Sequence, residues 1–109
     1  MDETYEIAFG LILNAGNSKS KSLLAIESAR EYRFEEAESF LKEAQEDLKL
    51  AHKTQTELIQ GEAQGNKTEM NILMVHGQDH LTTAMIMLNQ AEEFINIYKI
   101  LSKLLKEEK

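Results

Sequence analysis

Two histidines and an aspartate occur within five residues of this 109-residue chain, at His76, Asp79 and His80. On a helix, His76 and His80 are one turn apart and face the same way. Neutral imidazole is a nucleophile near pH 7, so His76 is a candidate acceptor of a covalently bound group. The three side chains are alternatively ligands of one metal ion, or structural residues without chemistry. Gly77 between them has no side chain, which lets another molecule approach the site.

The composition narrows the class of protein that holds this cluster. Cysteine is absent, which excludes disulfides, thiolate metal sites and cysteine nucleophiles. The formal net charge of −7 disfavours nucleic acid and anionic membranes as partners, because both bind cationic surfaces. The acidic first residues and the lack of a long apolar run predict neither a signal peptide nor a membrane span. We therefore expect one cytoplasmic domain over residues 1–109.

Three long segments carry apolar residues at helical spacing, and no proline interrupts them. They predict helices at about residues 2–30, 34–60 and 67–106, with Asp2 as the N-cap of the first. The turn between the first two is short, which favours antiparallel packing. We expect an all-α fold, an antiparallel three-helix bundle. The apolar face of the first helix contains Tyr5, Ala8, Phe9, Ile12, Leu23 and Ile26.

The first two helices differ in the arrangement of their apolar residues. Small polar residues from Asn14 to Ser22 interrupt the apolar face of the first helix, and they predict a kink or a surface for close packing. The second helix has a heptad seam of alternating large and small residues, which allows another helix to approach closely. Gly61 and Gly65 mark its end. The seam contains Phe34, Ala37, Leu41, Ala44, Leu48, Ala51, Gln55 and Leu58.

The third helix is the longest, and Asn66 with Glu69 predicts a capping box at its start. A helix of about 40 residues is ~60 Å long, which is too long for a compact monomer of this size. Two apolar stripes follow different sides of it, and both require burial. We therefore expect a homo-oligomer with this helix at its centre. One stripe contains Leu73, His76, His80, Thr83, Met87, Gln90, Phe94, Ile97, Leu101 and Leu104, and the other contains Met74, Leu81, Met85, Leu88 and Ile95.

Residues 74–83, M-V-H-G-Q-D-H-L-T-T, resemble the signature of the enzyme IIA component of the lactose/cellobiose-type sugar phosphotransferase system. Three further segments resemble the same family in the same order along the chain. They are A-G-N-S-K-S at residues 15–20, F-E-E-A at 34–37 and A-H-K-T-Q-T at 51–56. The resemblance therefore covers essentially the whole chain, at the length of the family.

This resemblance implies a phosphotransferase component that works as a trimer of three-helix protomers, through a phosphohistidine intermediate. His76 matches the phosphoryl-accepting histidine of the family, with Nε2 as the acceptor atom, and Gln78 and His80 would position the phosphoryl group. The donor would be HPr, and the acceptor would be a cysteine of the cognate enzyme IIB. The system imports a disaccharide such as lactose, cellobiose or chitobiose, so the membrane is involved only indirectly, through the sugar permease.

Asp79 matches the aspartate that lies on the trimer axis of the family. Three carboxylates on one axis, one from each protomer, repel strongly, so they must protonate or bind a divalent cation such as Mg²⁺. Lys19 stands where the family pattern leads us to expect arginine, and lysine contacts phosphate as a point charge rather than as a fork. The turn before Phe34 lacks the usual glycine. At His52, which matches the family pattern, we expect a hydrogen-bonded structural histidine.

A different class of function is also compatible with a helical oligomer of this kind. The chain would then be a non-enzymatic scaffold or a regulatory binding module that has the fold without the phosphoryl transfer. Uptake of a phosphoryl group by His76 separates this alternative from the carrier.

Overall fold

The computed structural model describes residues 3–107, which form three helices packed up, down and up. Helix α1 spans Glu3–Arg30, α2 spans Phe34–Ala63 and α3 spans Ile72–Glu107. No strand occurs between residues 3 and 107, which confirms the all-α three-helix bundle. The molecule measures 63 × 25 × 19 Å, and its long dimension follows α3. The predicted N-cap of α1, Asp2, lies outside the described residues.

Helix α1 is the central helix and packs extensively on both neighbours, whereas α2 and α3 touch each other less. Its apolar face was predicted wrongly for the larger residues, because Tyr5, Phe9 and Leu23 are exposed. A helix between two others has little space on its inner side, so small side chains occupy that side. The buried residues of α1 are Ala8, Leu11, Ala15, Ser18, Ser22, Ala25, Ser28 and Ala29.

The small polar segment of α1 forms the predicted close-packing surface and not a kink. Helix α1 is continuous through it, and the hydroxyl of Ser18 donates to the backbone carbonyl of Ala44 in α2 at 2.8 Å. Just beyond, Lys21 forms an ion pair with Asp47 of α2 at 2.7 Å. These contacts fix α1 and α2 relative to each other along the middle of the bundle.

The heptad seam of α2 is confirmed, since all its members are buried or half-buried. Helix α2 runs three residues beyond the prediction, to Ala63. It ends in a left-handed glycine, Gly65 at φ +94°, and the N–H of Asn66 donates to the carbonyl of Gly61 at 2.8 Å. This is the Schellman pattern of a helix C-terminus. Helix α1 ends in the same way, but Tyr32, at φ +61°, takes the position of the glycine.

Helix α3 begins at Ile72, later than predicted, and the capping box of Asn66 and Glu69 is wrong. Asn71 is the N-cap instead, and its side-chain oxygen accepts the N–H of Met74 at 2.8 Å. The backbone N–H of Asn66, which a capping box would pair with Glu69, is used instead in the final turn of α2.

The two apolar stripes of α3 have different roles. The second stripe forms the core of the bundle through Met74, Leu81, Leu88 and Ile95, while Met85 is exposed. The first stripe, which contains the histidines, is half-buried at Leu73, His80, Thr83 and Met87, and it is exposed at His76 and from Gln90 to Leu104. Ile97 and Leu104 of the first stripe also belong to a row that lies opposite the core, and we call this row the outward face of α3. Its members, all exposed and at helical spacing, are Ile72, Val75, Asp79, Ile86, Ile97 and Leu104.

Across residues 3–107, no helix combines the length and the hydropathy needed to span a membrane.

Candidate functional site

His76 and His80 lie on successive turns near the start of α3, where they form a contacting pair. Their Nε2 atoms are 3.1 Å apart, and the rings meet edge to face at 87° with centroids 4.5 Å apart. At this distance one nitrogen donates an N–H to the lone pair of the other. His76 is exposed and His80 is half-buried. The pair therefore presents one imidazole to solvent and supports it with a second.

Lys19 of α1 contacts the half-buried member of this pair, with its Nζ 3.3 Å from Nδ1 of His80. Burial is the main cause that lowers the pKa of His80 from its ordinary value of 6.5, and the positive charge of Lys19 adds to it. His76 lowers this pKa further, while the negative charge of Asp79 opposes these effects. The surroundings of His80 therefore favour its neutral form.

Gly77 lies where α1 and α3 come close together, one turn before His80. It is buried against α1, and a Cβ at this position would lie 3.2 Å from Cβ of Leu11 and 3.4 Å from the carbonyl oxygen of Ala8. The group that approaches Gly77 is therefore the first helix of the same chain. Sequence reasoning missed the contact between Lys19 and His80, because it depends on the register of two helices that are distant in sequence.

Asp79 is close to the histidines in sequence but lies on the outward face of α3, where it is exposed. Among residues 3–107, no three His, Cys, Asp or Glu side chains come together in a group able to hold a metal ion. A metal site of His76, Asp79 and His80 within one protomer therefore has no support, since His80 turns toward α1 and contacts His76 and Lys19. The axial site with one Asp79 from each protomer stays a prediction.

Gln78 lies on another side of α3 from His76. Its side-chain oxygen accepts a hydrogen bond from Nε2 of Gln55 in α2 at 2.8 Å, and its nitrogen contacts the sulfur of Met74 at 3.7 Å. The contacts of Gln78 within one protomer do not bring it to His76. Its role in positioning the phosphoryl group stays a prediction.

His52 also lies away from the pair, exposed on α2. The hydrogen bond at this residue is accepted by its backbone carbonyl, from the hydroxyl of Thr56 at 3.0 Å. The expected structural role for its imidazole therefore has no hydrogen bond to support it.

Comparison with known proteins identifies the family to which the chain belongs. Residues 6–99 match the family model described as the lactose/cellobiose-specific IIA subunit of the phosphotransferase system. The chain belongs to this family. It is therefore an enzyme IIA component of a sugar phosphotransferase system, as the motif around His76 predicted.

Individual relatives agree with this assignment over most of their length. The chain is 48% identical over 98 residues to the lichenan-specific phosphotransferase enzyme IIA component of Bacillus subtilis, covering 90% of this chain and 89% of the relative. The cellobiose-specific enzyme IIA of Bacillus anthracis has the same fold, with a TM-score of 0.92, 43% identity and 94% of each chain covered. The Escherichia coli IIA(Chitobiose) structure in complex with HPr gives a TM-score of 0.79 at 31% identity, covering 94% of this chain and 99% of the other.

Proposed function

We propose that the chain carries a phosphoryl group on His76 from HPr to the cognate enzyme IIB, in the cytoplasm. The observation that carries the proposal is an exposed imidazole whose Nε2 is held by a second, half-buried imidazole at 3.1 Å. The family match supports the phosphotransfer role. The complex formed by the chitobiose relative supports HPr as the donor.

Two displacements make up the transfer. The lone pair of His76 forms an N–P bond as the N–P bond of the donor breaks, and the electrons of the broken bond stay on the donor nitrogen. A cysteine thiolate of enzyme IIB then forms an S–P bond as the N–P bond at His76 breaks, which returns the lone pair to the ring. The protein contributes position and electrostatics. The N–H of His80 faces Nε2 of His76 at 3.1 Å, and it would turn to an oxygen of the phosphoryl group once the N–P bond has used the lone pair of His76.

We further propose that three protomers meet through the outward faces of α3. Isoleucines 72, 86 and 97 are each more than half exposed on this face, and burying them against two copies removes their apolar area from water. Asp79 lies among them, so the assembly brings three carboxylates together. Their mutual repulsion favours a bound divalent cation such as Mg²⁺ on the axis. His76 borders this face and would then lie beside a neighbouring protomer.

We propose that the transported sugar is a disaccharide of the lactose, cellobiose or chitobiose kind, although one relative is named for the monosaccharide galactose. Similar proteins are named for lactose, galactose, cellobiose and N,N′-diacetylchitobiose. One family thus serves several sugars, which fits a carrier that exchanges phosphoryl groups with proteins and does not itself contact the sugar.

Intact-mass measurement tests the carrier function directly. Incubation with phosphoenolpyruvate, enzyme I and HPr should add one acid-labile phosphoryl group per chain. His76→Ala should abolish the gain, and His52→Ala should keep it, because His52 is exposed on another helix. Addition of the cognate enzyme IIB should then remove the group from the wild type.

The control for this experiment is a second enzyme IIA that the same HPr preparation phosphorylates. If that control is phosphorylated while the wild-type chain gains no mass, the carrier proposal is wrong. The non-enzymatic scaffold or regulatory module would then be favoured.

A further inference from the structure

Three side chains, Lys19, His80 and His76, form a row that leads from α1 to the surface of α3. Nζ of Lys19 is 3.3 Å from Nδ1 of His80, and Nε2 of His80 is 3.1 Å from Nε2 of His76. Both contacts use ring nitrogens, so each one constrains where a proton resides. The function proposed above uses Nε2 of His76, at the end of the row, and gives no role to Lys19.

The donors and acceptors of this row can be assigned one after another. A lysine ammonium has three donors and no acceptor, so Nδ1 of His80 must accept and carries no proton. A neutral imidazole has one N–H, which places the proton of His80 on Nε2. That N–H donates to Nε2 of His76. Neutral His76 therefore holds its proton on Nδ1 and its lone pair on Nε2.

We propose that Lys19 is a positioning residue that acts through His80 to hold His76 in the tautomer with its lone pair on Nε2, where that lone pair accepts the N–H of His80. Free neutral histidine in water favours the other tautomer, with the proton on Nε2, and would present Nδ1 to the donor. The row reverses this preference before HPr arrives. The inference rests on the proposed function, because it explains how one nitrogen of His76 becomes the phosphoryl acceptor.

The position of Lys19 in the row also explains why lysine can replace arginine here. Arginine, like lysine, only donates hydrogen bonds. Either side chain therefore demands an acceptor at Nδ1 of His80 and leads to the same tautomer of His76. A methionine has a similar length and cannot donate, so it removes the constraint with little change in shape.

Nitrogen-15 NMR of the histidine side chains tests the tautomers without any phosphoryl transfer. Spectra are recorded on the full-length protein at a pH where all three histidines are neutral. In the wild type we expect the proton on Nδ1 of His76 and on Nε2 of His80. Lys19→Met should shift His76 toward the tautomer with the proton on Nε2, while the distant His52 keeps its wild-type signals as an internal reference.

Two variants serve as matched controls. Lys21→Met removes a lysine two residues along the same helix, where it pairs with Asp47 and does not contact the histidines. Lys19→Arg keeps a donor at the first position of the row. Both should retain the wild-type tautomers of His76 and His80.

Kinetics give the second readout. In Lys19→Met, kcat for phosphorylation by HPr should fall about tenfold while KM for HPr stays within about twofold, and Lys19→Arg should restore kcat. Unchanged tautomers in Lys19→Met would overturn the proposal. So would a rise in KM with an intact kcat, which would mean that Lys19 only attracts the donor. Failure of the carrier function looks different, because the wild type would then show the expected tautomers and take up no phosphoryl group.

Discussion

At the scale of single residues, Gly77 sets how closely α1 approaches the histidine pair. A glycine inside a helix costs about 1 kcal/mol relative to alanine. In return, Leu11 and the carbonyl of Ala8 come within 3.4 Å of the place where a side chain would stand. A larger residue would push α1 outward and lengthen the 3.3 Å contact between Lys19 and His80. The lack of a side chain at Gly77 therefore allows the close packing of α1 on α3 beside the histidine pair.

Two buried serines on α1 give a prediction at this scale. Ser18 donates to a carbonyl of α2, whereas the hydroxyl of Ser22 is buried without a partner among the described residues. Ser18→Ala should lower the free energy of unfolding by about 1 kcal/mol, and Ser22→Ala should raise it by about 1 kcal/mol. Urea denaturation at one fixed chain concentration measures both. A loss of stability in Ser22→Ala would contradict the prediction and indicate a bound water on that hydroxyl.

At the scale of the helices, the connection from α2 to α3 decides where the site begins. The left-handed Gly65 ends α2, and its final turn uses the N–H of Asn66. Asn71 caps the helix that follows, because its side-chain oxygen accepts the N–H of Met74. Because α3 therefore starts at Ile72, His76 lies in its second turn, close to the end of the bundle.

Capping gives the prediction for this connection. Asn71→Ala should lower the free energy of unfolding by about 1 kcal/mol, because it removes the acceptor of the N–H of Met74. The matched control, Asn66→Ala, keeps the backbone N–H that α2 uses and should cost less than about 0.5 kcal/mol. Thermal unfolding of both variants compares them. If Asn66→Ala lost more stability than Asn71→Ala, the result would contradict this prediction and support the capping box of Asn66 and Glu69.

At the scale of the whole molecule, α3 has more apolar surface than one bundle covers. Its inner side is buried by α1 and α2, while Ile72, Ile86 and Ile97 on the outward face are 88%, 53% and 55% exposed. A row of exposed isoleucines on a narrow bundle is typical of a surface that binds another protein. In an assembly through this face, the Asp79 carboxylates of the protomers would repel one another. A cation bound between them would relieve that repulsion.

Substitution of Asp79 tests the proposed assembly. Asp79→Leu should keep or strengthen the trimer, because it replaces three repelling carboxylates with apolar side chains, and the bound metal should disappear. Analytical ultracentrifugation measures the mass of the assembly, and elemental analysis measures the metal. Unchanged metal content in Asp79→Leu would refute the axial site, and loss of metal in His80→Ala would indicate a site within one chain.

A charge placed elsewhere on the same face provides the comparison for this test. Ile97→Glu brings three carboxylates together with no cation site prepared for them, so it should dissociate the trimer into protomers. Leu50→Glu introduces the same charge at an exposed position of α2 and should leave the mass of the assembly unchanged.

The sequence by itself determined the features that depend on local spacing. The lack of proline and the helical periodicity predicted three helices in an all-α bundle, and the heptad from Phe34 to Leu58 identified the buried seam of α2 correctly. The spacing of His76 and His80 placed them on one face. These features follow from the 3.6-residue period of a single helix, which needs no knowledge of its neighbours. The motif around His76 was also sufficient to indicate the family.

Only the tertiary structure decided which faces meet. Periodicity grouped the residues of α3 into stripes, but the rotation and register of the helices determined that Leu81 and Leu88 face inward and Asp79 faces outward. The contact from Lys19 to His80 spans 61 residues of sequence, and α1 also approaches α3 closely at Gly77. His76, first identified as one of two histidines a turn apart, is thus the exposed end of a row that begins on another helix.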